Sequence, residues 1–243
     1  MMLLAVLSGF LLAVAVPALY RLAGSYIGWV LALLPASLTA YFASLIPTIR
    51  GGERLLIETP WMPGLGITLD FMVDGLSLVF ALLISGIGTF ILIYAGSYLK
   101  GHKDLARFYV IMLSFMASML GLVLSDNLIT FFVFWELTSI TSYMLIGFNH
   151  EDAEARKCAL QGLFVTAGGG LVLMAGLILL IFITGDSSFS GLLATELSIH
   201  EHPYYTAAAV CILIGAFTKS AQVPFHFWLP NAYTYAPSAV TAF

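Results

Sequence analysis

Glu136 and Lys219 are the two residues of this chain whose types and surroundings point to chemistry. Glu136 lies in the run NLITFFVFWELTSITSYMLIGFN, and residues 127–149 contain no other Asp, Glu, Lys or Arg. Lys219 is the only residue of these four types after Glu201. An ionisable side chain in an apolar membrane segment is costly, and it usually faces a cavity, pairs with another charge or carries ions. At similar depths, a carboxylate and an ammonium can pair and can couple an electrostatic change to proton release.

The depth and helical face of Glu136 favour a functional role. If its helix starts near Asn127, Glu136 lies about 14 Å along it, near the middle of the roughly 30 Å hydrocarbon layer. Ser139 and Tyr143 follow by three and seven residues, so their hydroxyls share its face and could orient the carboxylate or hold water. The alternative that remains open is a protonated Glu136, buried in a helix interface, that only stabilises helix packing.

Lys219 precedes a predicted helix break. Gln222 offers a hydrogen bond one turn later, and Pro224 removes a backbone donor, so the helix must kink or break near it. Broken helices at membrane depth line cavities and mark ion sites. His226 follows the break and could relay protons, although an interfacial His is an equally open interpretation. For Lys219 the alternative is a side chain that snorkels to the membrane surface.

Other polar positions have structural explanations. Asp74 and Asp126 mark the predicted outer ends of two helices, where capping explains an Asp, and Asp126 is also a candidate for the entrance of an ion path. Gly168 to Gly170 lie in an apolar helix and predict close helix packing. None of the five His lies in mid-span with a partner on a facing helix, which disfavours a haem protein. No catalytic residue, metal site or cofactor is predicted.

The composition places the chain in a bilayer. Hydrophobic residues make up 60% of it, charged residues only 9%, and the mean hydropathy is +1.00. Soluble domains carry roughly 25% charged residues. The net charge of -4 is spread over loops without basic runs, so nucleic acid is excluded as a partner.

Charge-free windows of about 20 residues predict an all-α polytopic membrane protein with seven transmembrane helices, the seventh broken, and the start of an eighth at Pro237. The windows are Met1 to Tyr20, within Leu22 to Ile49, within Gly75 to Leu99, Phe108 to Ser125, Asn127 to Asn149, Cys158 to Gly185, and Pro203 to about Leu229. Because the eighth is cut short, we expect a fragment or a truncated gene.

The loops predict the orientation and one extramembrane feature. Alternating residues around Glu58 to Trp61 and Ile67 to Asp70 favour a small hairpin. With loops assigned alternately to two sides, Lys and Arg gather on one side, which predicts an external N-terminus because basic loops are cytoplasmic. That side holds Arg21, Lys100, Lys103, Arg107, Arg156 and Lys157, and the other holds Arg50 and Arg54.

Three stretches carry a family resemblance: VDGLSLVFALLISGIGTFILIYAGSYL (73–99), ARFYVIMLSFMASMLGLVLSDNLITFFVFWELTSITSYMLIGF (106–148) and GAFTKSAQVPFHFWLPNA (215–232). They resemble the A subunit of Mrp-type multisubunit Na+/H+ antiporters, which is similar to the antiporter-like membrane subunits of respiratory complex I. The resemblance covers essentially the whole chain after the first loop. Its specific blocks are F-W-E-L-T-S and K-S-A-Q-x-P-F-H-F-W-L-P.

The resemblance implies roles for the two charges. The family carries its ion pathway on a Glu in the fifth helix and a Lys in a broken seventh helix, which correspond to Glu136 and Lys219. It also implies two inverted five-helix repeats, of which this chain holds most of the first. The chain ends near the place of a proton-path His, and Gln161 stands where complex I relatives often carry a Lys. Alone, the chain is therefore expected not to conduct.

The sequence thus predicts a secondary-transport subunit of the cell membrane and not an enzyme. Residues 1–72 are expected to form two helices and the external hairpin, and residues 73–243 an incomplete proton-conducting domain. Its expected partners are other membrane subunits of a hetero-oligomeric antiporter, the lipid bilayer and H+, with Na+ as a further candidate. Two alternatives remain open: a non-conducting membrane scaffold, and a complex I type subunit.

Overall fold

The computed structural model describes residues 2–62, 64, 67–194 and 199–243, without the side chains of Ser25 and Ile67. The helices are α1 Met2–Ala23, α2 Ile27–Ser44, α3 Ile46–Arg50, α4 Gly75–Tyr98, α5 Leu105–Leu124, α6 Leu128–Ile146, α7 Ala153–Thr184, α8 Phe189–Ala194, α9 Tyr205–Lys219, α10 Trp228–Tyr235 and α11 Ser238–Thr241. The strands are β1 Leu55–Ile57, β2 Pro60–Met62, β3 Ile67–Thr68 and β4 Phe71–Val73. Short 3-10 turns occupy Gly24–Tyr26, Ile199–Glu201 and Phe225–Phe227.

Six helical segments of the described chain are long and apolar enough to cross a membrane, and they correspond to the first six predicted spans. They are Met2–Ala23, Ile27–Arg50, Gly75–Tyr98, Leu105–Leu124, Leu128–Ile146 and Ala153–Thr184. The mostly helical, multi-span character is thus confirmed. α5 and α7 begin earlier than their charge-free windows, because Arg107 and Glu154 lie exposed on the first turns and do not interrupt the helix.

The seventh predicted span ends early. α9 has 15 residues, fewer than the roughly 20 needed to span the hydrocarbon. The predicted break at Pro224 comes five residues sooner, directly after Lys219. The backbone N–H of Gln222 donates to Phe217 O at 2.9 Å, and Ala221 adopts a left-handed φ of 51°. This is the Schellman arrangement that closes many helices, with Ala at the position where Gly is usual.

Two antiparallel strand pairs occupy the loop in which alternation predicts a hairpin. β2 pairs with β3, with Pro60 opposite Thr68, and β1 pairs with β4, with Leu55 opposite Val73. The alternating pattern identified only the β2 and β3 segments. β1 (LLI) and β4 (FMV) are apolar throughout, so they show no alternation of apolar and polar residues.

Contacts divide the chain into two compact units. The first comprises the described residues up to Ile57, Phe71–Leu124 and Ala236–Phe243, and the second comprises Glu58–Asp70 and Ser125–Tyr235. In the first, α2 packs on α4 and α1 on α5, and Asp74 caps α4 by accepting from the Ser77 backbone N–H at 2.8 Å. In the second, α7 packs against α6, α9 and α10. Both predicted charges lie in the second unit.

Asn127 fixes the start of α6 within the second unit. It is buried, and its Oδ1 accepts from the backbone N–H groups of Ile129 and Thr130 at 3.0 and 3.2 Å. Its amide nitrogen donates to the hydroxyls of Thr68 and Ser187, both at 3.3 Å. An N-cap satisfies backbone donors that have no partner inside the helix. The helix that carries Glu136 therefore begins at a position set by three chain segments.

Replacing Ala221 with Gly should stabilise the protein by about 1 kcal/mol, because Gly adopts the left-handed conformation without the steric conflict of a Cβ. The matched control is Ala216→Gly inside α9, which should destabilise by about 0.5–1 kcal/mol. Thermal unfolding midpoints of the purified protein in detergent, moving in opposite directions, would check this. Equal shifts in the two variants would contradict the helix end described here.

Candidate functional site

Glu136 lies in the first half of α6 with its carboxylate turned towards α7. Its Oε1 atom is buried, and among the described residues it accepts no hydrogen bond. The Nε1 of the neighbouring Trp135 is likewise buried without a partner. Unsatisfied buried polar atoms are uncommon in folded proteins and call for an explanation such as strain, a working role or an ordered water. Two of them on consecutive residues mark this turn of α6 as unusual.

The Gly168 to Gly170 run of α7 makes room for the site. A Cβ built on Gly170 would overlap Glu136 Oε1 and lie 3.0 Å from its Cδ. A Cβ on Gly169 would overlap the hydroxyl of Thr218 and lie 2.5 Å from its Cβ, whereas one on Gly168 would meet nothing within 4 Å. The predicted close packing is present, and it is made by the second and third glycines. One admits α9, and the other admits the carboxylate.

Lys219 is the last residue of α9 and reaches across to α6. Its ammonium donates to Thr138 Oγ1 at 2.7 Å and to Ser139 Oγ at 2.8 Å. A third bond goes to the backbone O of Trp135 at 3.3 Å, and the ammonium lies 5.4 Å from the centre of that residue's ring. An ammonium has three donors, and the three are used here. Lys219 therefore faces the protein interior and not the surrounding lipid.

Lys219 binds the same turn of α6 that carries Glu136, but the two charged groups are not in contact. Trp135 and Thr138, which bind Lys219, stand one residue before and two residues after Glu136. No nitrogen–oxygen contact of 4.0 Å or less joins Lys219 and Glu136, both of which the structure describes, although each charge acts electrostatically on the other. In a direct ion pair the Lys219 ammonium would bind the Glu136 carboxylate. Here it binds the hydroxyls of Thr138 and Ser139 instead.

Thr138 is the contact that sequence reasoning missed. The helical face of Glu136 includes positions three, four and seven residues away, which singled out Ser139 and Tyr143. Thr138 is two residues away and so faces elsewhere on α6, where Lys219 of another helix meets it. The only sequence signal was the pair of adjacent hydroxyl residues Thr138 and Ser139, which follow Glu136 after one intervening leucine.

A small cavity of about 40 Å³ adjoins Lys219. It is lined by Ser139, Ser142, Tyr143, Ile146, Gly162, Leu163, Thr166, Lys219 and Trp228. One water needs on the order of 10–15 Å³ by this measure, so the space is sufficient for water beside the ammonium. The structure therefore brings Lys219, Ser139 and Tyr143 to one cavity, on the side of Lys219 towards the C-terminal end of α6.

The three site residues predicted after the break do not line this cavity. Gln222, Pro224 and His226 are exposed, and Gln222 uses its backbone N–H to close α9. Because α9 ends at Lys219, Gln222 does not follow it by a helical turn as the unbroken helix would require. Trp228 joins the turn back to α9, since its Nε1 donates to Thr218 O at 3.0 Å.

Asp126 has a different role from the cap predicted for it. Asn127 caps α6, and the buried Asp126 side chain instead accepts from the backbone N–H of Ser190 at 2.8 Å and from its hydroxyl. It therefore holds the loop helix α8 against the start of α6. The capping explanation of Asp126 was wrong because two adjacent residues could cap the same helix and the sequence does not decide between them.

Gln161 on α7 binds α10 and not the charged pair. Its Oε1 accepts from Asn231 Nδ2 at 2.9 Å. Within the described part of the chain, no three His, Cys, Asp or Glu side chains gather as they would around a metal ion.

Two family descriptions match this chain. "NADH:quinone oxidoreductase/Mrp antiporter, TM" matches residues 125–243, which include the whole site described above. "NADH-Ubiquinone oxidoreductase (complex I), chain 5 N-terminus" matches residues 61–109.

Individual relatives agree with these descriptions. The chain is 43% identical over 99% of its length to the A1 subunit of a Na+/H+ antiporter from Staphylococcus haemolyticus. It is 42% identical over 98% of its length to the A subunit of a Na+/H+ antiporter from Alkalihalophilus pseudofirmus. It spans 30% of the length of each of these proteins.

A solved structure has the same fold. The Mrp complex from Dietzia sp. DQ12-45-1b contains a chain that matches 99% of this one with a TM-score of 0.89 and 35% sequence identity, and the match covers 26% of that chain. Sequence and fold therefore agree, and the chain belongs to the family of membrane subunits shared by Mrp antiporters and NADH:quinone oxidoreductases.

Proposed function

We propose that this chain carries protons through the membrane as part of a multisubunit Na+/H+ antiporter, using Glu136 and Lys219. The observation that carries the proposal is the position of an ammonium on one apolar helix against the turn of another that holds a carboxylate with one buried oxygen. Ionisable groups within membrane segments are costly and are retained at ion pathways. The names of the similar antiporter proteins support the same assignment.

The proton path begins at the cavity beside Lys219. Water held among the hydroxyls of Ser139, Ser142, Tyr143 and Thr166 would exchange protons with the Lys219 amine. Glu136 sets how firmly that proton is kept, because a nearby negative charge favours the charged form of a lysine. When Glu136 takes up a proton, its negative charge is lost and Lys219 releases its own more easily. Proton movement on one side of the pair thereby drives movement on the other.

The proposed function also involves residues and subunits outside this chain. Because the chain spans under a third of its relatives, the complete activity requires residues or subunits outside it. We assign it to the cell membrane with an external N-terminus, with other membrane subunits for partners and H+ and Na+ as the ions. In this arrangement α9, the turn at Phe225–Phe227 and α10 form a broken seventh span of an inverted-repeat fold. Residues 73–243 are then the proton-conducting part, with Asp126 as a candidate ion entrance and His226 as a candidate proton relay.

A complex I type subunit is the second candidate, because the matching family description includes NADH:quinone oxidoreductases. In that case quinone reduction elsewhere would drive the same pair of charges. Neighbouring genes distinguish the two: redox subunits with iron–sulfur motifs favour the oxidoreductase, and only small membrane subunits favour the antiporter.

Glu136→Gln and Lys219→Ala should each lower Na+-dependent proton transport by about tenfold or more, because each removes a group that takes up or retains the proton on the proposed path. The measurement is proton flux in everted membrane vesicles that contain the assembled complex, with assembly checked separately. The matched controls are Glu154→Gln and Lys157→Ala, an exposed pair 3.8 Å apart on α7. Assembled Glu136→Gln or Lys219→Ala complexes with normal transport would favour the scaffold alternative.

Gly170→Ala should impair transport while the complex still assembles, because the new methyl group displaces the flexible carboxylate of Glu136. Gly168→Ala is the control and should transport normally, since its methyl group meets nothing within 4 Å. Gly169→Ala should mainly lower stability, by about 1–3 kcal/mol, because Thr218 and α9 must move. Equal effects of Gly168→Ala and Gly170→Ala on flux would contradict this division of roles.

A further inference from the structure

We propose that the hydroxyls of Thr138 and Ser139 form a docking position for the Lys219 ammonium, separate from Glu136, and that Thr138 is a positioning residue that sets the pH at which Lys219 releases its proton. This inference rests on the proposed function, in which Lys219 carries a transported proton. It adds a residue that neither the family resemblance nor the helical face of Glu136 assigns.

The two hydroxyls bind both the backbone of α6 and the ammonium of Lys219. Thr138 Oγ1 lies 2.7 Å from the ammonium and 2.7 Å from Trp135 O, and Ser139 Oγ lies 2.8 Å from the ammonium and 3.3 Å from the same carbonyl. Each hydroxyl therefore donates its proton to the backbone and turns an oxygen lone pair towards Lys219. Both residues are about 2% exposed, so bulk solvent does not compete for these lone pairs.

The acceptors around Lys219 match its charged form better than its neutral form. An ammonium offers three N–H donors, and Thr138, Ser139 and the Trp135 carbonyl provide three acceptors. A neutral amine has two N–H groups and a lone pair, so one hydroxyl would have to rotate away from Trp135 O to donate to it. Hydrogen bonds to the charged form favour that form. The docking position therefore holds the proton on Lys219 without help from a carboxylate in contact.

The docked ammonium lies beside the cavity and has few titratable neighbours among the residues that line it. Lys219 and Ser139 both line the 40 Å³ cavity, so the proton to be released faces the space that can hold water. On α6 the titratable groups that face this site are Glu136 and Tyr143. The described residues of α7 and α10 that line the cavity, Gly162, Leu163, Thr166 and Trp228, carry no titratable group.

The Lys219 ammonium therefore has two neighbouring positions, one at the hydroxyls of Thr138 and Ser139 and one near the Glu136 carboxylate. Thr138 and Ser139 hold the ammonium beside the cavity, where it can exchange its proton. Glu136 lies on the same turn of α6 and attracts the charge without contacting it. A proton carrier that alternates between these two positions needs an uncharged docking site as well as a carboxylate, and Thr138 provides the shorter of its two hydroxyl contacts.

The test is the pH dependence of Na+-dependent proton flux in everted vesicles that contain the assembled complex. Thr138→Val keeps the side-chain shape and removes one acceptor, so the alkaline limb of the profile should move to lower pH by on the order of one unit. Thr138→Ser should restore the original profile because it restores the hydroxyl. Ser139→Ala should shift the profile in the same direction as Thr138→Val.

Thr141→Val is the matched control. Thr141 is also a buried α6 threonine, but its hydroxyl bonds only to carbonyls of its own helix, at 2.7 Å to Leu137 O and 3.3 Å to Thr138 O. Its profile should equal that of the unchanged protein. If Thr138→Val does not assemble, Thr138→Ala removes the same acceptor and carries the same expectation.

Two outcomes would overturn the inference in distinguishable ways. An unshifted or alkaline-shifted profile in assembled Thr138→Val or Thr138→Ala, with transport lost in Lys219→Ala, removes the docking position and leaves the proposed function standing. Normal transport in Lys219→Ala overturns both, since Lys219 then carries no transported proton.

Discussion

An ammonium enclosed among apolar helices must find three oxygen acceptors, because each unsatisfied donor there costs several kcal/mol. One turn of α6 supplies all three, from Trp135, Thr138 and Ser139. Two other features of the second unit position the groups that make this contact. α9 ends at Lys219, so the side chain can extend beyond its helix. Asn127 fixes the start of α6, so the acceptors stand at a set distance from the beginning of that helix.

The glycines of α7 let three helices meet at this place. Backbone and side chain approach closely only where no Cβ intervenes, and small residues serve this purpose in membrane helices. Gly169 lies against Thr218, next to Lys219, and Gly170 lies against the Glu136 carboxylate. Gly169 thus lets α9 approach α7, and Gly170 lets the Glu136 side chain of α6 approach it. A single small residue would allow one of these approaches and block the other.

The features that depend on local composition could be predicted from the sequence. Charge-free windows located six spans, and the scarcity of charge was enough to single out Glu136 and Lys219. The Asp74 cap followed from its place before an apolar run. These properties are set by a residue and its immediate neighbours, so no tertiary information was needed for them.

The features that depend on contacts between distant segments could not be predicted in this way. Thr138 acquires its importance from a residue 81 positions later in the chain. Asp126 was assigned to the wrong helix because Ser190, its partner, lies 64 positions away. The end of α9 was placed at Pro224, whereas the left-handed Ala221 and the hydrogen bonds around it stop the helix at Lys219. Ala is a good helix former, so an alanine at position 221 does not indicate a left-handed conformation.

The end of α9 also places a fixed partial charge beside Lys219. The aligned peptide dipoles of a helix leave about half a negative charge at its C-terminus, and a cation in the last turn is stabilised there by about 0.3–1 kcal/mol. Lys219 is the final residue of α9, so its own backbone provides this attraction. Unlike Glu136, the helix terminus cannot take up a proton. Some of the field that holds the ammonium therefore persists whichever side chain is charged, and it would vanish if the helix continued unbroken.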